Sequence, residues 1–176
     1  MLLHSMLTVV QDLLELSAPG AEVELIEAAE LPRLQRRLLD HHRDMTGTLE
    51  AFSGESLRLR VLRVRQDERW MHRRVVLLAG DEAVEYGAIR IDLDALPASV
   101  RPAVEEAELP LGGLLTRAGI PLVSEARSFL RTSASTATEA LGVEGPVFGR
   151  FARLLDGQGR TLADVVEILP HFQGRD

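Results

Sequence analysis

Two charged side chains stand in strand-like runs at positions that alternation assigns to an apolar face. Arg73 shares its parity with Met71, Val75 and Leu77, while Arg74 falls with Trp70 and His72. Glu167 shares its parity with Ala163, Val165 and Leu169. Arginine and glutamate are rarely buried unless paired or bound to something polar. A guanidinium in that setting grips carboxylates through a two-pronged fork, and a desolvated glutamate holds its proton tightly enough for acid–base work. A structural ion pair leaves the same pattern in a sequence, since such pairs perturb proton affinity too. Two helix starts, at Met45-Thr46 and Leu111-Gly112, present backbone N–H groups at positive dipole ends. Such ends bind carboxylates or phosphates without lysine, unless Thr46 and water satisfy them first.

The remaining candidates carry less. His41 and His42, with Asp40 and Asp44, have the residue types of a metal site, but adjacent side chains on a helix diverge and do not chelate. His72 lies on the parity opposite Arg73 and reads as packing or surface. Ser133, Ser135, Thr136 and Thr138 form a polar loop cluster, and no G-x-S-x-G surrounds any serine. No G-x-G-x-x-G follows a strand, which excludes a dinucleotide fingerprint. All 20 basic residues are arginine and cysteine is absent, so lysine Schiff bases, thiolate nucleophiles and cysteine-ligated metals are excluded. A net charge of −7 and 4% aromatic residues argue against a phosphate-binding or base-stacking surface for nucleic acid. Arg58, Arg60, Arg63 and Arg65 form a basic ladder that reads as a solvated strand face.

The elements that must position these groups follow from periodicity. The 176 residues suit one domain spanning 1–176, with an N-terminal amphipathic helix at 3–16 and a core over about 34–170. Ser17-Ala18-Pro19-Gly20 stops the first helix. A second helical stretch runs over 24–41 with a restart at Pro32, and a short helix covers 45–52. Three strands follow at 57–65, 70–79 and 84–93, with phase slips at Leu62 and Gly87 and breaks short enough for antiparallel pairing. Helical segments are predicted at 97–108 and 110–115 and strands at 125–131, 147–155 and 161–169, the last two joined by the Asp156-Gly157-Gln158-Gly159 turn. Residues 132–145 fit a loop or a short helix. Strand runs flanked by helices indicate an α+β fold with an antiparallel sheet. The segment Met1-Leu2-Leu3-His4-Ser5-Met6 lacks a basic run and is a poor signal peptide, and no apolar run approaches the ~20 residues of a membrane span. The expected setting is the cytoplasm.

The order of motifs resembles the chorismate pyruvate-lyase (4-hydroxybenzoate synthase) family and its chorismate-lyase-like relatives. The series is Leu38-Leu39, Met45-Thr46, Arg73 before Val75-Val76-Leu77-Leu78, Tyr86-Gly87-Ala88-Ile89-Arg90-Ile91, Leu96-Pro97, Pro110-Leu111-Gly112 and Val166-Glu167-Ile168-Leu169-Pro170. The resemblance implies a single antiparallel sheet with flanking helices enclosing an internal ligand cavity. It implies a lyase that eliminates pyruvate from chorismate to give 4-hydroxybenzoate or a close isomer, in biosynthesis, with no metal and no cofactor. It makes Arg73 the carboxylate grip, Glu167 the catalytic glutamate, and Met45 and Leu111, with Thr46 and Gly112, substrate-binding positions. The family's second arginine falls at or near Ile89. Arg90 is its neighbour, and a slip at Gly87 would turn it inward. The register around Glu167 is offset from the family's closing strand. A cyclase or isomerase of the polyketide-tailoring kind, or a non-catalytic small-molecule-binding module, uses the same scaffold. In every case the partner is a small molecule, carboxylate-bearing for the lyase, with neither nucleic acid nor membrane; the sequence leaves oligomeric state open.

Overall fold

The computed structural model describes residues 2–15 and 23–172. Its elements are α1 (Leu2–Leu14), β1 (Val23–Ile26), α2 (Arg33–Leu39), α3 (Met45–Ser53), β2 (Leu57–Gln66), β3 (Trp70–Ala79), β4 (Glu82–Asp92), α4 (Arg101–Glu105), α5 (Leu111–Arg117), β5 (Leu122–Thr132), α6 (Ser135–Leu141), β6 (Val147–Asp156) and β7 (Thr161–Leu169). The fold is α+β. One seven-stranded sheet has the order β1-β5-β6-β7-β4-β3-β2, and every pairing in it is antiparallel.

The slip expected at Leu62 is a bulge: the register steps from Val61 opposite Val75 to Arg63 opposite Arg74. The second slip is not at Gly87. It falls at Val84, where Leu77 faces Glu85 and Leu78 faces Ala83, and Gly87 is paired regularly with Val75 and Glu167. The β6–β7 turn forms as its residues dictate. The Asp156 carboxylate accepts the Gln158 and Arg160 N–H groups, and Gly159 takes a φ of +78° that a side chain would disfavour.

One further expectation is corrected. The helix expected over 24–41 begins as a strand, Val23–Ile26, because its backbone pairs with Phe129–Thr132 of β5, a partner remote in sequence. A 3-10 turn at Ala28–Glu30 follows before α2. The ambiguous 132–145 segment contains α6, ended by Gly142 in the left-handed region. The stop expected at Ser17-Ala18-Pro19-Gly20 lies outside the described residues.

The sheet is covered on both faces. Val76, Tyr86, Ala88, Phe151, Val166 and Ile168 pack on one side against Val10 and Leu14 of α1 and Ala137 and Leu141 of α6. The other side carries two clusters. Leu77 and Leu169 pack with Leu39, Met45 and Leu49 of the α2–α3 region, and Ile89, Ile91, Ala152, Leu154 and Val165 pack with Val104, Leu111, Leu114 and Leu115 of the α4–α5 region. Among the described residues no helix is long and apolar enough to cross a membrane.

Candidate functional site

Where these two clusters part, the sheet is left uncovered under the N-terminal ends of α3 and α5. The cavity there holds about 560 Å³ of atom-free space, part of it open to solvent. Its floor is Val75, Leu77, Gly87, Ile89, Leu154 and Val165, and its roof includes Met45, Thr46, Pro110, Leu111 and Gly112. Arg73, Glu85, Glu167 and Asp44 supply the charge.

Strand parity brings these groups together. Arg73, Val75 and Leu77 of β3 point the same way as Glu85, Gly87 and Ile89 of β4, because those residues are directly opposed in the register. Glu167 joins them opposite Gly87. Gly87 keeps the floor open: a Cβ there would lie 3.1 Å from Val75 Cγ2 and 3.3 Å from Glu85 Oε1.

Arg73 is 3% exposed. Its guanidinium has one long hydrogen bond, 3.4 Å to the Leu109 carbonyl, and its Nε has no partner. No carboxylate pairs with it among the described residues. Burial lowers its pKa to about 10, which leaves it charged at neutral pH. A buried, unneutralised guanidinium lining a cavity is a ready receptor for a carboxylate or phosphate.

Glu167 is in a different state. It is 5% exposed, and its Oε2 lies 2.5 Å from Nε of Arg150, which is completely buried. Arg150 also donates to the carbonyls of Leu39 (2.9 Å), His41 (2.8 Å) and Arg43 (3.4 Å) and to Ser124 Oγ (3.1 Å). The Arg150–Glu167 pair thus ties β6 and β7 to the α2–α3 connection and to β5. The structural ion pair that the sequence left open exists.

Glu85 was not foreseen. It is 4% exposed, its Oε2 has no partner, and its pKa is pushed well above the usual carboxylate range. Burial is the largest cause, and the nearby Glu167 and Asp44 carboxylates add to it. Its signal lay in the sequence, since Glu85 shares parity with Gly87, Ile89 and Ile91. The slip assigned to Gly87 instead of Val84 concealed it. Arg150 was missed likewise, as a charge at the parity of Phe148, Ala152 and Leu154.

The helix ends differ in detail from the expectation. Asp44 caps α3 by accepting the Gly47 N–H at 2.7 Å, so an acid and not a solvent molecule takes that donor. The same side chain packs against Gly112 of α5, where a Cβ would sit 3.3 Å from Asp44 Cβ. Met45 and Leu111 are buried and line the cavity with Thr46 and Gly112. Arg90 is corrected: it is not among the lining residues. It bonds Asp164 at 2.7 Å and stacks on Trp70, because without a slip at Gly87 alternation turns it to the other face. His41, His42, Asp40 and Asp44 form no metal cluster among the described residues.

No protein-family model matches this chain, and no curated protein matches it by sequence. Solved structures do resemble it. The effector domain of PhnF from Mycobacterium smegmatis superposes with a TM-score of 0.54 at 15% identity, over 73% of this chain and 89% of that one. A gene product of Staphylococcus aureus gives 0.52 at 10% identity, over 68% and 87%. The ligand-binding domain of a Bordetella bronchiseptica protein assigned to the GntR family of transcriptional regulators gives 0.51 at 14% identity, over 65% and 86%. These likenesses bear out the α+β fold with its single antiparallel sheet. They correct the expected identity. None of these structures is named a chorismate lyase; one is named an effector domain and another a ligand-binding domain. The lyase reading, with its 4-hydroxybenzoate and pyruvate products, and the wider enzymatic reading fall with that identity. One fold hosts sites of many kinds. The geometry agrees with the correction, since the expected catalytic glutamate is held by Arg150 and the expected second arginine faces away from the cavity.

Proposed function

We propose that this chain is a non-catalytic module that binds a small anionic molecule in the cavity beneath α3 and α5. The observation that carries this is Arg73, almost fully buried, charged, and lining the cavity with no carboxylate partner among the described residues. An arginine left in that state costs several kcal/mol unless an anion completes it. The apolar floor supplies contact area, and the charge supplies orientation, as is usual for small-molecule sites. Arg73 is then the anion grip, Met45, Thr46, Leu111 and Gly112 line the ligand, and Glu167 is a positioning residue that holds the frame through Arg150.

The likeness to effector and ligand-binding domains supports a sensing role, in which occupancy alters how the helices over the cavity sit and a partner reads the change. With a net charge of −7 the module itself is a poor surface for DNA, so any DNA contact falls to another segment or chain. We read the chain as a single domain working in the cytoplasm. An outer cleft shares Asp44, Thr46 and Pro110 with the cavity, and we take it as the way in.

The test is a thermal-unfolding screen of wild type and Arg73→Met against small carboxylic and phosphoric acids. Some acids raise the midpoint of the wild type and lose that effect in Arg73→Met. Equal stabilisation of both proteins, or none of either, contradicts the proposal.

A further inference from the structure

Resting on the reading that Arg73 anchors an anion here, the cavity has a second pole that Arg73 does not explain. Glu85 pairs with Leu77, whereas Arg73 pairs with Ile89. The two rows are therefore four residue steps apart along β4, about 13 Å of strand at ~3.3 Å per residue. Both side chains are more than nine-tenths buried, both line the same cavity, and each has a polar atom with no partner. They do not pair with one another: the Arg73 guanidinium bonds the Leu109 carbonyl, and Arg73 Nε and Glu85 Oε2 have no partner.

The charge around Glu85 is mainly negative. Glu167 on β7 and Asp44 before α3 both act on it, and the one opposing group is Arg150 on β6. Arg150 has no donor to spare. Its Nε is taken by Glu167, Nη1 by the carbonyls of Leu39 and His41, and Nη2 by Ser124 and the Arg43 carbonyl. Glu85 thus has an unused carboxyl oxygen in an acidic corner with no protein cation to meet it. Between the poles the floor is Val75, Gly87 and Ile89, and the missing side chain at Gly87 leaves the path along the floor clear.

We infer that the site is bipolar and takes an amino acid whose acid and amine are held apart: the carboxylate on Arg73 and the ammonium on Glu85, Gly87 marking the midpoint. In the empty cavity burial and the facing Glu167 and Asp44 carboxylates raise the proton affinity of Glu85. An arriving ammonium takes the proton's place and the proton leaves to solvent. Binding therefore releases a proton and tightens as pH rises toward the pKa of Glu85.

The experiment is titration calorimetry with ω-amino alkanoic acids of three to eight carbons, each against its matched alkanoate and alkylamine, at pH 6 and pH 8. Heats are measured in two buffers of different ionisation enthalpy, which reports proton release on the wild type without any variant. At one or more chain lengths the amino acid binds at least about tenfold tighter than its alkanoate, as a charge-assisted contact gives. The advantage is larger at pH 8, is accompanied by proton release, and vanishes in Glu85→Gln. If alkanoates equal or exceed their amino counterparts at every length and pH, with binding lost in Arg73→Met, the second pole is wrong and the anion site survives. If no compound binds, or Arg73→Met binds all of them as the wild type does, both readings fall.

Discussion

Arg150 and Arg73 are both buried arginines on one sheet face, and their partners set their roles apart. Removing Arg150 leaves the Glu167 carboxylate and several carbonyls unpaired in the interior, a loss of about 3–5 kcal/mol for a broken buried pair. Arg150→Met is therefore expected to lower the urea-unfolding free energy by that amount, and Arg150→Met with Glu167→Leu to recover most of it. Equal stability of wild type and Arg150→Met contradicts the structural role. Glu85 predicts a pH signature. Its folded pKa lies above the ordinary value of 4.5, so the folded state holds a proton that the unfolded chain has released. Stability from this group is complete below the unfolded pKa and is lost as pH rises toward the folded one. Glu85→Gln cannot ionise, so relative to wild type it gains stability between pH 5 and pH 8. Urea unfolding at the two pH values checks this, and a difference that is constant or reversed contradicts it.

At the scale of elements, two glycines set how closely the strands and the ligand can approach. A Cβ at Gly149 would run into the Glu167 carbonyl oxygen and Ile168, so Gly149→Ala is expected to destabilise by about 1–3 kcal/mol in chemical unfolding. Gly87→Ala fills the cavity floor near Val75 and Glu85 and should weaken ligand affinity more than it weakens the fold. Retained affinity in Gly87→Ala contradicts the placement of ligand over β4. These elements also show what local sequence carries. β3 and β7 have the bounds that alternation and turn residues predict, and Arg73 and Glu167 were visible as charges at apolar parity. β1 was not legible, because Val23–Ile26 is a strand only by pairing with β5, and its own spacing suits a helix. Glu85 was hidden by a bulge whose position, Val84, is fixed by the opposing strand and not by any residue type. The Arg150–Glu167 pair was hidden because sequence shows a charge at a buried parity but not its partner.

For the whole molecule, the sheet ends in β2, where Val61, Leu62 and Val64 are exposed at the open edge. Such an edge invites strand pairing between copies, and the charge of Arg60 opposes it by repulsion. Arg60→Ile is expected to raise self-association in light scattering, and an unchanged scattering mass contradicts that view of the edge. The proposed binding rests on a cavity between two core clusters on one sheet face, lined by the buried Arg73. The most direct measurement is ¹⁵N NMR of the arginine Nε–H groups while an acid that stabilises the protein is titrated in. The Arg73 signal is expected to move with saturation while that of Arg150, locked on Glu167, holds still. An acid that binds and leaves the Arg73 signal where it was would contradict it.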